Sequence, residues 1–331
     1  MEKKRALVTG GTGFLGRHLI EELLERGWNV AAFHRPSANV AHLRKLGVEL
    51  RPGELHKEET LGQVISPGTD AVFHVAGDTS MWRFAEKQQY LANVTGTRNL
   101  LNAALTAGVG RFVHTSSVAV YGVEFDQVTE EAPHRGRDVP IGYFRTKTQA
   151  EEEVRLAADK GLDAVIVNPC NVVGPYDAHN WGRLIRMLDD GSLPGVPPGT
   201  GNFCHGRDVA IGHILAYEKG RTGENYLLGG TNASFLEAMN VAAKLLGKPE
   251  IKKTTPAALL KIVGRVSEWI SWITKKEPEL TPEVCALVCA RQSLGSDKAF
   301  RELGYQSADM ETMFRDCIEW LRKEGLLSES R

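Results

Sequence analysis

The sequence predicts an α/β fold, a doubly wound parallel sheet followed by a smaller, mainly helical C-terminal lobe. Three observations carry this reading. Short apolar runs alternate with amphipathic runs through most of the chain before Asn168. A glycine triplet lies between the first strand pattern and the first helix pattern. After Asn168 the chain turns rich in Gly, Pro and Asn, and from Ser234 onward it is mostly helical.

The elements follow in order. "RALVT" is a buried strand, and "FLGRHLIEELLERG" is a helix closed by Gly27. "WNVAAF", a third run before "PGEL", "DAVFHVA", "RFVHTS" and "DAVIVN" are further strands, brief and mostly rich in Val, Ala and Phe. The stretch "RFAEKQQYLANVTGTRNLLNAALTAG" is helical, its apolar residues recurring at three- and four-residue steps. Such alternation means parallel strands, helices on both faces and right-handed crossovers. "NPCNVVGPYDAHNWG" and "GSLPGVPPGTGNFCHG" read as loops, "RLIRMLDD" and "DVAIGHILAYEKG" as helices, "NYLLGG" as a strand, and "METMFRDCIEWLRKEG" as the last helix. Residues 1–170 are expected to form the sheet domain, with 208–230 returning to it. Residues 171–207 and 231–331 are expected to form the second lobe.

Composition excludes several classes. The chain has 331 residues and a formal net charge of −1, which gives no footprint for nucleic acid. "MEKKRALVTGG" lacks the apolar core of a signal peptide, and no stretch is apolar enough to span a membrane. Five scattered cysteines fit a reducing compartment, so a cytoplasmic location is expected. Cys285 and Cys289, four apart, read as one helix face, and the histidines show no ligand spacing, so no metal is expected. His74 and His114 lie in apolar strand patterns and read as satisfied core residues. In "AALLKIVGRVSEWISWI", Leu259, Val263, Val266, Ile270 and Ile273 share a helix face with Trp269 beside them. A helix packed over a pocket or a subunit is the preferred reading. Lys261, Arg265, Lys275 and Lys276 keep a membrane-surface helix open.

The glycine triplet carries chemistry. Gly10 allows a sharp turn, Gly13 lets the backbone approach a pyrophosphate, and Gly16 lets the helix pack on the strand. Thr12, Phe14 and Leu15 complete this turn, where the helix N-terminus offers unpaired N–H groups to phosphates. Glu54 is placed to accept a bond from an adenine amino group, with Leu55 against the ring. Where an acid would hold the adenosine ribose, "FHRPS" offers Arg35, flanked by His34 and Ser37. A permanent cation there favours a 2′-phosphate, hence NADP(H), with NAD(H) as the alternative should Arg35 simply point into water.

A second constellation lies downstream. Tyr143 and Lys147 in "GYFRTKTQAEEEV" are four apart on one helix face, and "RFVHTSSVAVYG" ends a strand with Thr115, Ser116 and Ser117. Hydride transfer to a carbonyl leaves an alkoxide that needs a proton, which a tyrosine can donate. Lowering a phenol by three units takes about 4 kcal/mol, roughly what one ammonium at about 4 Å supplies at an effective dielectric near 20. Ser117 would orient the carbonyl oxygen.

With these motifs the chain resembles the extended short-chain dehydrogenase/reductase family, the group with NAD-dependent epimerases and dehydratases. "TGGTGFLG", "FHVAG", "NVTGTRNLL", "HTSSVAVYG", "YFRTK", "NPCNVVGP", "DVAIGHILA", "ENYLLGG" and "DKAFRELGY" carry the likeness. "DTSMW" brings it nearer to bacterial dihydroflavonol-4-reductase-like proteins. The resemblance implies a Rossmann-type dinucleotide-binding domain, a substrate-binding C-terminal lobe and a cleft between them. It implies Ser117, Tyr143 and Lys147 as the catalytic set. Tyr143, Lys147, Ala76, Gly77, Thr115 and Pro169 join the cofactor contacts, Asn93 supports the site, and Asp208 is structural. Asp78, Trp82, Asn171, Trp181 and Arg207 are the candidate substrate contacts, and Met81, Trp82, Phe84 and Trp181 are candidate apolar walls. Glu54 stands where the family often has Asp. Gly122 stands where plant dihydroflavonol reductases bind substrate through Asn, so flavonoid reduction does not carry over.

Two functions follow. One is an NADP(H)-dependent reductase of a small-molecule aldehyde or ketone, or the reverse alcohol dehydrogenase, and Arg35 favours it. The other is a sugar-nucleotide epimerase or dehydratase that returns the hydride and keeps its NAD; Asn171 and cations such as Arg183, Arg186 and Arg207 would serve it. A redox sensor without turnover is disfavoured by the intact Ser-Tyr-Lys set. A homodimer through "AEKQQYLANVTGTRNLL" and "TQAEEEVRLAADK" is expected from the resemblance.

Overall fold

The computed structural model describes residues 3–62, 64–274, 278 and 280–328. The strands in chain order are β1 (Arg5–Thr9), β2 (Asn29–His34), β3 (Glu49–Pro52), β4 (Ala71–His74), β5 (Arg111–Thr115), β6 (Phe125–Val128), β7 (Ala164–Pro169), β8 (Asn171–Val173), β9 (Thr200–His205), β10 (Asn225–Leu228), β11 (Thr231–Ser234) and β12 (Gln292–Leu294). The α-helices are α1 (Phe14–Glu25), α2 (Ala41–Lys45), α3 (Glu86–Tyr90), α4 (Gly96–Ala107), α5 (Gly142–Asp159), α6 (Trp181–Asp190), α7 (Gly206–Lys219), α8 (Phe235–Leu246), α9 (Ala257–Thr274), α10 (Pro282–Cys289) and α11 (Met310–Lys323).

Seven strands form one parallel sheet in the order β10-β7-β5-β4-β1-β2-β3. Alternate residues of each strand feed opposite faces. Val8, Ala32, Phe73, Val113 and Val167 pack against Leu19, Ile20 and Leu23 of α1 and Val209 and Ile214 of α7. Leu7, Phe33, Val72, Phe112 and Ile166 pack against Leu100 and Leu101 of α4 and Val154 of α5. Burial on both faces explains why these strands read as near-continuous apolar runs. This is a Rossmann-type α/β fold.

At Cys170 the chain passes from β7 directly into β8, which opens a second sheet, β11-β9-β8. Its core joins Trp181 and Ile185 of α6, Phe203, Phe235 of α8 and Phe314 of α11. The two segments expected to be loops thus contain β8 and β9. In β9 Gly201, Asn202, Phe203, Cys204 and His205 are all buried, so the strand shows no alternation to read. A further parallel pair, β12 with β6, ties the region before the last helix to the loop after β5.

The helical run before β5 is continuous but not uniform. It widens to a π turn over Leu91–Thr95, which holds Asn93 inside the protein. Among the described residues no helix is long and apolar enough to cross a membrane.

Gly10 fixes the geometry of the β1–α1 turn. Its φ is +75°, and a Cβ there would lie 2.7 Å from the backbone nitrogen of Ala76. Gly27, at the end of α1, has φ +78° but open space around it. Gly27→Ala is therefore expected to cost about 1 kcal/mol, the left-handed penalty alone. Gly10→Ala adds overpacking and is expected to cost roughly 2–4 kcal/mol. Denaturant unfolding of the two variants checks the difference; equal midpoint shifts would contradict it.

Candidate active site

The carboxyl ends of β1, β4, β5 and β7 lie side by side, and the loops that follow them converge there. Gly10, Thr12 and Gly13 form the β1–α1 turn, and Phe14 and Leu15 begin α1. Gly13 is the N-cap of α1 and makes no side-chain cap, so the first helical N–H groups face out of the turn. Ala76, Gly77 and Asp78 follow β4, Thr115 ends β5, and Pro169 ends β7. Arg35 follows β2 and Glu54 and Leu55 follow β3, further along the same edge.

Lys147, on α5, is buried, and its Nζ donates to the Thr115 carbonyl at 2.6 Å. Burial lowers the ammonium's pKa to about 8, while Glu151 one turn later raises it. Glu151 has no exposed surface; its Oε1 accepts from Asn168 Nδ2 at 2.7 Å, and its Oε2 lies 3.2 Å from His134 Nδ1. Asn168 Nδ2 also donates to the Ser117 carbonyl at 3.2 Å. One polar chain thus joins α5, β7 and Ser117 in the segment after β5.

Tyr143 stands one turn before Lys147, in the first turn of α5. Burial pushes its phenol up, and a hydrogen bond from Ser117 pulls it back. Ser117 Oγ in turn accepts from Ala119 N at 3.2 Å. The sequence suggested that Lys147 would lower the phenol; in this arrangement the phenol stays above its ordinary value, because Lys147 is committed to Thr115 and burial dominates. A phenol held this way stays protonated near neutrality.

Asn93 braces the same region. Its Oδ1 accepts from Asp78 N at 2.7 Å, and its Nδ2 donates to the Asp78 carbonyl at 2.9 Å and to Thr146 Oγ1 at 3.1 Å. A Cβ on Gly77 would lie 3.4 Å from Asn93 Oδ1 and 3.8 Å from Lys147 Nζ, so the Gly77 backbone closes over both. His74 bonds Thr9 at 2.8 Å and Thr97 at 2.9 Å, and burial lowers its pKa to about 3. His114, expected to be satisfied, is buried with neither ring nitrogen partnered among the described residues; burial holds it well below the usual imidazole range. Thr115 Oγ1 contacts His213 Nε2 at 2.7 Å. Sequence reasoning missed Glu151, Asn168 and His213. The four-residue step from Lys147 to Glu151 was a usable signal, hidden in a run of three glutamates.

Arg35 is exposed and forms no hydrogen bond with its side chain among the described residues; its charge helps hold the Glu54 carboxyl below the usual range, after the larger effect of Lys57. Glu54 Oε2 bonds Lys57 Nζ at 2.7 Å. Trp82 is half-buried, and its buried Nε1 has no partner among the described residues.

Two proposed substrate contacts are corrected. Trp181 is buried in the second core against Phe203, Phe235 and Phe314, so it is packing rather than a pocket wall. Arg207 bonds Glu22 and Glu25 across the α7–α1 seam, which commits its guanidinium there. Asn171 is half-buried and donates to the Asn202 carbonyl at 3.0 Å within the second sheet. Cys285 donates to the Leu260 carbonyl at 3.1 Å, joining α10 to α9.

This arrangement places a glycine turn, a protonated phenol and a buried cation on one sheet edge. A profile of the NAD dependent epimerase/dehydratase family matches residues 6–229. The chain belongs to that family. Within the epimerase/dehydratase family, a Synechocystis protein provisionally named a dihydroflavonol 4-reductase is 33% identical, over 96% of this chain and 94% of its own. Sterol demethylase protein B of Methylococcus capsulatus is 32% identical, over 97% of this chain and 99% of its own. The crystal structure of gox2253 superposes with a TM-score of 0.85 at 35% identity, covering 98% of this chain and 100% of that one. The family is nicotinamide-dinucleotide dependent, and its members similar to this chain include reductases as well as sugar-nucleotide epimerases and dehydratases.

Because burial sets the Lys147 pKa and Glu151 opposes it, Glu151→Gln is expected to move the Lys147 titration from about 8 to lower pH. Side-chain NMR of labelled lysines checks this; a Lys147 that titrates with the exposed lysines would contradict it.

Proposed function

We propose that the protein is an NADP(H)-dependent oxidoreductase that reduces an aldehyde or ketone to an alcohol, with Ser117, Tyr143 and Lys147 as its catalytic set. The observation that carries this reading is the Tyr143 phenol, kept protonated by burial and hydrogen-bonded by Ser117 at the carboxyl edge of the sheet.

The residues present fit a dinucleotide. The uncapped start of α1 behind the Gly10 turn offers N–H groups to a pyrophosphate, and Gly77 leaves no side chain between Lys147 and the edge of the sheet. Arg35, exposed after β2, offers five donors and a permanent charge to a 2′-phosphate. When bound, the nicotinamide supplies or accepts the hydride. Tyr143 then gives its proton to the carbonyl oxygen as the alcohol forms. Ser117 donates a hydrogen bond to the same oxygen and orients it. Lys147, held by Thr115, contributes positive charge beside the developing phenolate. Asn93 keeps the loop at Asp78 in place beneath them.

The alternative, a sugar-nucleotide epimerase or dehydratase keeping NAD, needs cations for a diphosphate. Arg207 no longer supplies one, because Glu22 and Glu25 hold it elsewhere. Arg183 and Arg186 of α6 stay with that reading, while Arg35, exposed after β2, favours the reductase. Asp78, Trp82 and Asn171 remain the proposed substrate contacts. A cytoplasmic homodimer through residues 85–101, from α3 into α4, and residues 148–160, along α5, belongs to the same reading, and the half-exposed Leu156 on α5 supports that face.

Tyr143→Phe is expected to lose about 10²–10⁴-fold in turnover of an aldehyde and ketone panel while retaining NADPH affinity; near-full turnover would remove Tyr143 as the acid. Arg35→Asp is expected to weaken NADPH binding about 10–100-fold, the loss of charge-assisted bonds, and to change NADH binding little. Equal losses in titrations with both cofactors would contradict the NADP(H) assignment.

A further inference from the structure

Helix α9 packs the opposite way from an ordinary surface helix. Its small residues face the protein. Gly264 is buried, and a Cβ on it would lie 2.8 Å from Cys285 Sγ of α10. Ser271 is buried one side and two turns on, with its hydroxyl on the Glu268 carbonyl at 2.7 Å. The large apolar residues face out: Ile262, Val266, Trp269, Ile270, Trp272 and Ile273 are all about half exposed or more, up to 69% for Ile273. The helix packed over a pocket, which the periodicity suggested, is not what the described residues show; Lys275 and Lys276 lie outside them.

The charge on this helix is one-sided. Lys261 and Arg265 are exposed. Its one carboxylate, Glu268, points to Arg83 at 3.0 Å, and Glu283 of α10 meets the same guanidinium at 3.3 Å. The outer face therefore carries apolar bulk, two indoles and two cations, with no acid paired to them among the described residues. The patch is also continuous with the mouth of the candidate site. Trp272 meets Phe84 at 6.1 Å between ring centroids, Phe84 meets Trp82 at 5.4 Å, and Met81 packs in the same cluster as Tyr143.

We propose that α9 lies on the surface of an anionic lipid bilayer, with its apolar face at the boundary of headgroups and acyl chains and Lys261 and Arg265 against lipid phosphates. Indoles with one wet edge suit that boundary, and a helix of this kind sits about 5–10 Å deep without crossing. A second copy of the chain is a poorer occupant. A two-fold contact sets the same patch against itself and brings Lys261 and Arg265 of both copies together, while among the described residues Glu268 and Glu283 are engaged by Arg83. Docked this way, the aromatic path from Trp272 to Trp82 opens the site toward the bilayer.

The test is co-sedimentation of the full chain with vesicles of phosphatidylcholine alone or mixed with phosphatidylglycerol. The protein is expected to pellet with the mixed vesicles and far less with phosphatidylcholine alone. Trp269→Ser with Ile273→Ser is expected to reduce bound protein at least roughly tenfold. Lys261→Glu with Arg265→Glu is expected to do the same on mixed vesicles by reversing the attraction. All four side chains are exposed, so the thermal midpoint should hold and separates loss of binding from loss of folding. A wild-type protein that stays in the supernatant with both vesicles overturns the proposal. So does light scattering in which the Trp269 and Ile273 changes convert a larger species to a smaller one, which would identify a second copy as the occupant.

Discussion

The buried ammonium of Lys147 is the constraint on which the site depends. A charge without water is costly unless its bonds are complete. Here the Thr115 carbonyl, at 2.6 Å, and the fully buried Glu151 carboxylate supply the compensation. Glu151 is itself fixed by Asn168 at the end of β7, and Asn168 holds the backbone at Ser117. The ends of β5 and β7 and the first turns of α5 are therefore one unit. Tyr143, a turn ahead of Lys147, meets Ser117 because that unit leaves α5 a single place to sit.

A second brace works from the other side of the crevice. Asn93 lies in the π turn at Leu91–Thr95 and makes three bonds, two to the Asp78 backbone and one to Thr146. Beneath it, Thr97, His74 and Thr9 link α4, β4 and β1, ending on the backbone of Ala76. Burial keeps His74 neutral, so this chain holds the glycine turn without adding charge near the place where negative phosphates are expected.

How much of this was legible follows from what periodicity can encode. The parallel sheet was, because strands buried on both faces leave apolar runs that only helices interrupt. The Gly10 turn and the steps among Ser117, Tyr143 and Lys147 were, because spacing along a strand end and one helix face survives in the sequence. β8 and β9 were not: glycine, asparagine and histidine fill a buried strand there, with Asn202 and Asn171 satisfied by backbone groups far away in sequence. Trp181 and Arg207 were misplaced for a related reason, since an indole or a guanidinium has the same local signature whether it faces a cleft, a core or a neighbouring helix. In α9 the period was visible but its sense was not. The apolar face is the outer one because Gly264 permits the close approach to α10 that a larger residue would block.

Net hydride transfer to a carbonyl carbon, with the proton coming from the Tyr143 phenol, is the reaction to be tested. The most direct measurement uses NADPH deuterated at the transferring position of the nicotinamide, with a carbonyl panel and mass analysis of the products. The account predicts one deuterium at the new carbinol carbon for each cofactor oxidised. Product formation with no net NADPH consumption, or deuterium retained on the cofactor while an epimer appears, would contradict it.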